Sequence, residues 1–115
     1  MFYIMVHMQS PSLGEFELAV LLSLTTLDDA YGAAIRREVS RRLGRDCTVG
    51  AVYTTLQRLE DKGLIISWTS DPTPVRGGRS RRCYRTTPAG DKSLTAARET
   101  RERLWKGVRR DWSPA

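Results

Sequence analysis

The chain has 115 residues, 40% of them hydrophobic and 28% charged, with a formal net charge of +6. That length argues for one domain with room for an appended helix and against two full domains, and the apolar content argues against disorder. The charge is unevenly placed: the first 35 residues hold Glu15, Glu17, Asp28 and Asp29 and no Lys or Arg, so all 19 bases lie beyond them. Most of those bases are arginine, the side chain suited to forked contact with phosphate.

Residues 13–27 space Leu13, Phe16, Val20, Leu21, Leu24 and Leu27 at three and four, which predicts an amphipathic helix with Ser12 as its cap and Glu15 as the capping-box acid. Asp28-Asp29 breaks the pattern. A second helix is expected over 30–43, with Tyr31, Ile35, Val39 and Leu43 on one face and Gly44 as the stop. Thr48 then caps a third helix running to about Lys62 and closed by Gly63. Beyond it the period changes. Residues 64–69 and 82–87 read as two strands, and the Pro- and Gly-containing loop between them makes a hairpin. Thr87 and Pro88 open a last helix expected over 88–111.

The remaining composition bounds chemistry and location. Cys47 and Cys83 have no CxxC spacing and His7 is the only histidine, so no zinc set is expected, nor any other metal or cofactor. The thiols are expected to be reduced. No stretch reaches the ~20 apolar residues that span a bilayer. Residues 1–8 are apolar without a basic flank, and Pro11 follows, unlike a secretory signal. A cytoplasmic protein without membrane contact is expected. Met5 and Met8 leave the start open, and residues 1–11 form a tail without an assigned role.

Three helices and a hairpin in this order make a winged helix-turn-helix. On the third helix Val49, Val52, Leu56 and Leu59 fall on one side, Gly50, Thr54, Gln57 and Arg58 on the other, and Tyr53 on the boundary. A face of small polar groups, an amide and a guanidinium suits a major groove. Residues 76–85 contain five arginines and no acid. Their mutual repulsion gains nothing without a polyanion nearby.

The strings Leu13-Gly-Glu-Phe-Glu, Ala30-Tyr-Gly, Val49-Gly-Ala-Val-Tyr-Thr-Thr-Leu-Gln-Arg-Leu-Glu-Asp-Lys-Gly-Leu64, Arg76-Gly-Gly-Arg and Tyr84-Arg-Thr-Thr resemble the PadR family of bacterial transcriptional regulators. The likeness covers about residues 13–106 and matches the short subfamily, with one C-terminal helix. Many relatives have a proline at the start of the recognition helix, where this chain has Thr48-Val-Gly-Ala. The resemblance implies a winged-helix repressor of promoter DNA, a homodimer through its terminal helix, with Tyr53 near the DNA backbone. It also implies an apolar space between subunits with Trp105 on its wall, open to a planar aromatic effector.

The domain limits expected are 12–87 for the winged helix-turn-helix and 88–115 for the dimerisation helix. The expected DNA contacts are Tyr31, Gly32, Thr48, Gly50, Tyr53, Thr54, Gln57, Arg58, Arg76, Gly77, Gly78, Arg79 and Arg82. Leu94, Ala97, Leu104, Val108 and Trp112, close to a heptad seam, are the expected dimer contacts. Trp68 is expected in the core. Glu99 with Arg103 and Glu102 with Lys106 are expected as exposed ion pairs. Two other classes compete with the regulator. An enzyme lacks any Ser/His/Asp set or phosphate loop. A winged-helix module for an acidic protein partner stays open as the alternative.

Overall fold

The computed structural model describes residues 13–70, 80–109 and 111. Its elements, in order, are α1 (Glu15–Thr26), α2 (Gly32–Leu43), α3 (Val49–Asp61), β1 (Ile65–Thr69), β2 (Arg82–Thr86) and α4 (Pro88–Trp105). This is the expected order, and the differences lie at the ends. The cap of α1 is Gly14, whose backbone N–H donates to Glu17 Oε1 at 3.2 Å. Glu17, not Glu15, is therefore the capping acid, because it stands three residues into the helix from the true cap. Ser12 lies outside the described residues.

The helix-turn-helix closes through its caps. Gly44 and Gly63 take positive φ (70° and 77°), which lets Arg45 N donate to Ser40 O and Leu64 N to Leu59 O. These are the reversals that a β-carbon would strain. Thr48 Oγ1 accepts from Ala51 N at 3.1 Å and starts α3 as expected.

One side of each helix builds a single core. Val20 and Leu21 from α1, Ile35 and Val39 from α2, and Val52, Leu56 and Leu59 from α3 are almost fully buried with Leu64, Ile65 and Tyr84. Burial of each such aliphatic side chain is worth roughly 1.5–3 kcal/mol, so the helix order is held by this cluster. Val49 is a correction: it is 49% exposed, and Thr55 takes the buried place expected of it. Val49 opens the helix at the rim, whereas Thr55 lies between Val52 and Leu59 in the packed turns.

β1 and β2 pair antiparallel from Ile65 opposite Thr86 to Thr69 opposite Arg82. Tyr31 bridges to Cys83, and Tyr84 N donates to Ala30 O at 3.0 Å. The chain entering α2 thus lies along β2 and docks the wing on the helices. Trp68 is 43% exposed instead of buried, although Cys83 directly opposite it on the same face is buried; Arg85 stacks over its ring at 5.5 Å. Cys47 and Cys83 are free and buried. Burial, followed by the nearby Asp29 carboxylate, pushes the Cys83 thiol above its ordinary value.

Thr87 caps α4 by accepting from Gly90 N at 3.1 Å, and its hydroxyl donates to Gly63 O at 2.7 Å. Gly90 rests against the Leu64 carbonyl, with no room for a side chain. The first half of α4 packs on the protomer itself: Ala97 is buried and Leu94 half-buried against the core. The helix ends at Trp105, six residues before the expected 111, with Gly107 at φ 79° just beyond it. Its ion pair joins Arg98 to Glu102 at 3.0 Å, while Arg103 reaches Thr100. Neither of the two expected pairs forms.

Candidate nucleic-acid interface

The outer side of α3 is a continuous polar stripe. Gly50, Thr54, Gln57 and Arg58 are all exposed, and Tyr53 is 45% exposed at its edge. The core side of the same helix is locked by Val52, Leu56 and Leu59, so the stripe stands on a rigid support. Thr48 is exposed beside it, its hydroxyl oxygen engaged by the cap. Around the start of α3, Phe16, Arg45, Asp46, Thr48, Thr54 and Arg58 border a shallow hollow of about 550 Å³. The N-terminus of α3 and the Arg45 and Arg58 side chains favour an anion in this hollow, against the Asp46 carboxylate on the same rim.

The opening of α2 brings Tyr31 to the same region. Arg37 donates to the Tyr31 hydroxyl at 3.4 Å, and the Arg81 guanidinium lies 4.2 Å over its ring. The Arg37 hydrogen bond first, then the Arg81 charge, holds the Tyr31 phenol below its ordinary value. Arg81 also stands 3.9 Å from Asp29. Gly32 is a correction: it is buried under the Tyr53 hydroxyl, and a β-carbon there would collide with that ring. Its absent side chain seats Tyr53; the residue itself offers no open surface.

The wing is tied to the recognition helix through Glu60. Ser67 donates to Glu60 Oε2 at 2.8 Å, and Arg82 approaches the same oxygen at 4.0 Å while staying mostly exposed. Glu60 thus links α3 to β1 through Ser67 and lies beside Arg82 of β2. At the same C-terminal end of α3, Lys62 donates to Glu17 at 2.9 Å and holds the Glu17 carboxyl below the usual glutamate range. Arg76, Gly77, Gly78 and Arg79 lie outside the described residues.

Two side chains at this surface, Arg81 and Asp61, are not among the expected contacts. Arg81 is one of several arginines in its string, and its stacking on Tyr31 follows from a bridge between segments about fifty residues apart. Asp61 is exposed in line with Gln57 and accepts from its amide at 2.9 Å. The signal for that pair is its spacing, since residues four apart on a helix meet.

The expected dimer seam is dispersed. Ala97 and Leu94 serve the protomer's own core, Val108 lies past the helix end, and Trp112 lies outside the described residues. Leu104 remains on the helix and is 72% exposed, with Trp105 67% exposed beside it. Trp105 also closes one end of an open apolar groove of about 530 Å³ between α1 and α4, lined by Leu18, Leu22 and Leu94 and rimmed by Arg98 and Arg101.

A three-helix core with a docked hairpin, an exposed polar recognition stripe and flanking arginines define a winged helix-turn-helix of the DNA-binding class. The model of the PadR-like transcriptional regulator family matches residues 20–96, and the chain belongs to that family. It is 41% identical over 81 residues to the transcriptional regulator Rv3488 of Mycobacterium tuberculosis, a match spanning 70% of this chain and 71% of that one. A PadR family transcription regulator from Clostridium difficile R20291 superposes with a TM-score of 0.66 at 28% identity, over 83% of this chain and 94% of that one. A PadR family regulator from Eggerthella lenta DSM 2243 gives 0.61 at 30% identity, over 77% and 76%. The protein is thus a DNA-binding transcriptional regulator. Among the described residues no helix is long and apolar enough to cross a membrane, and no side-chain cluster suits a metal ion.

Proposed function

We propose that this regulator is a cytoplasmic homodimeric repressor of promoter DNA, released when a planar apolar effector binds beside Trp105. In this reading Thr54, Gln57 and Arg58 meet base edges in the major groove. Tyr31, Thr48, Gly50, Tyr53 and Arg82, with Arg76, Gly77, Gly78 and Arg79 of the wing, follow the backbone. Residues 12–87 carry the DNA-binding unit, and the helix from 88 onward carries the subunit contact.

The observation that supports effector control is the groove between α1 and α4, apolar on its floor and closed by an exposed indole. An indole offers a flat face on which an aromatic ligand gains ~0.5–1.5 kcal/mol beyond area burial. Residues of α1 border both the groove and the DNA face, which gives the reading a physical route. Leu18 and Leu22 of α1 line it, while Phe16 of the same helix borders the hollow at the start of α3. Glu17 is bonded to the end of α3 through Lys62. A ligand that moves α1 against α4 changes the spacing of two recognition helices in a dimer, and it regulates only through its different affinity for the two spacings.

Calorimetry with a flat polycyclic dye on wild type and Trp105→Ala tests the groove, and a mobility shift on the chain's own upstream DNA tests release. The expected result is dye binding by wild type, a loss of about tenfold in Trp105→Ala, equivalent to ~1.4 kcal/mol, and dye-dependent release of the DNA. No dye binding by wild type, or unchanged binding by Trp105→Ala, overturns effector control. A reporter on the same promoter that falls when the gene is deleted overturns repression.

A further inference from the structure

Gly50, Thr54, Gln57 and Asp61 recur at intervals of four, three and four, so they form one line along the exposed side of α3. Three of the four suit a DNA surface. Asp61 does not: its charge repels phosphate, and in the last turn it also meets the negative end of the helix dipole. Both effects disfavour a carboxylate here. Among the described residues Asp61 takes part in no ion pair, as is also true of Glu15, Asp46 and Glu99. Its hydrogen bond is the one it accepts from Gln57 Nε2, at 2.9 Å.

That bond has a consequence for what Gln57 can read. A carboxylate only accepts, so it must be the amide NH₂ of Gln57 that faces it, and the two ends of the amide cannot exchange places at no cost. With one N–H committed to Asp61, Gln57 keeps one N–H and its carbonyl oxygen, an adjacent donor and acceptor. Adenine presents the complement in the major groove, N7 as acceptor and the N6 amino group as donor. Guanine presents two acceptors, N7 and O6; pairing with both would take two donors, and the Gln57 carbonyl would oppose O6.

We propose that Asp61 is a positioning residue that fixes the Gln57 amide as a donor–acceptor reader and so selects adenine over guanine at one base pair of each half-site. The inference rests on the reading of α3 as the groove-entering helix. The charge acts through Gln57 and not through the DNA backbone. Removing it therefore costs selectivity even where it raises overall affinity.

The test is selection from a randomised duplex library, followed by affinities on the enriched duplex and its single-base variants. Wild type, Asp61→Ala, Asp61→Glu and Gln57→Ala are compared as full-length proteins. Wild type is expected to favour adenine over guanine at one position by about tenfold, the size of one bidentate contact. Asp61→Ala should flatten that position, leave the others unchanged and bind all duplexes somewhat more tightly. Gln57→Ala should flatten the same position, and Asp61→Glu, which keeps an acceptor within reach, should restore most of it. The inference is overturned if Asp61→Ala changes affinity uniformly with every base preference intact, or if the positions flattened by Asp61→Ala and Gln57→Ala differ. A wild type that enriches no duplex sequence and shows no salt-dependent binding overturns the groove-entering role of α3 itself, a distinct outcome.

Discussion

The outer side of α3 and the distal half of α4 are both open to solvent, yet they are made of opposite materials. α3 exposes Thr54, Gln57 and Arg58 while its aliphatic residues are buried beneath them. α4 buries Ala97 near its middle and then carries Leu104 and Trp105 out into solvent. Polar groups on a surface are satisfied by water until a ligand replaces it, so the α3 side is compatible with a solitary protomer. Two large adjacent apolar side chains gain from being covered, and both stand mostly clear of their own protomer. One surface suits a charged partner and the other an apolar one.

The largest expected effect comes from charging the apolar end. In Leu104→Glu/Trp105→Glu, sedimentation equilibrium should find a folded monomer where the proposal expects a wild-type dimer. A surviving dimer would place the subunit contact elsewhere. The two halves of α4 can be separated the same way: a chain ending at Glu99 should stay folded as a monomer. One ending at Ser93 should lose about 3–5 kcal/mol or fail to fold, because Leu94 and Ala97 belong to the core.

Next in size are two glycines that separate scaffold from site. Gly90→Ala drives a methyl into the Leu64 carbonyl, which is fixed by its bond from Thr87 N. Chemical denaturation should show a loss of about 1–3 kcal/mol. Gly32→Ala meets only the free end of the exposed Tyr53 ring, which can swing away. Its stability should change by less than about 1 kcal/mol, while DNA affinity falls. Equal losses of stability in the two variants would show that Tyr53 is held as firmly as the core.

On the DNA side, Arg58→Ala should cost ~1–3 kcal/mol on the selected duplex and less on random DNA if it reads bases. Arg82→Ala should weaken all sequences alike and make the salt dependence shallower by about 0.9 for each phosphate left without its guanidinium. Titration of log affinity against log salt distinguishes the two. A wild-type affinity that ignores salt would contradict the arginine surface altogether.

The smallest effect is expected from Glu17–Lys62, a partly exposed pair worth about 0.5 kcal/mol. Glu17 has a lowered folded pKa, so its contribution is complete above the ordinary glutamate value of 4.5 and disappears as pH falls below that value through the lowered one. Glu17→Gln should therefore lie slightly below wild type in stability near neutral pH and converge with it in acid. Thermal unfolding between pH 7 and 3 measures this, and a constant difference across that range would remove the pair from the account.

The parts legible from sequence are those governed by neighbours in the chain. Thr48, Thr87 and Gly44 act as caps where they are expected, because a cap is a bond across three or four residues. The hairpin and the polar side of α3 follow from a change in period. The differences arise where distant segments decide. Ala97 fits a seam, and whether it serves this protomer or a partner depends on where α1 lies. Trp68 fits a core strand, but it stands largely exposed opposite the buried Cys83, since strand pattern does not say how far the core covers the ribbon. Val49 fits the apolar repeat and lies at the rim, since periodicity carries no information about where the core stops. Gly32 fits an open helix start, and only the fold lays Tyr53 over it.

By itself the amino-acid order determined the winged helix-turn-helix, the arginine-rich character of its reading surface and membership of the PadR-like family. All three are written in local spacing, local capping and charge. Only the tertiary structure decided which apolar residues of α4 are spare, that Tyr53 needs Gly32, that Arg81 stacks on Tyr31 and that the groove on α1 ends at Trp105. Those depend on the meeting of segments far apart in the chain, and burial is a property of the whole packed core rather than of any one stretch within it.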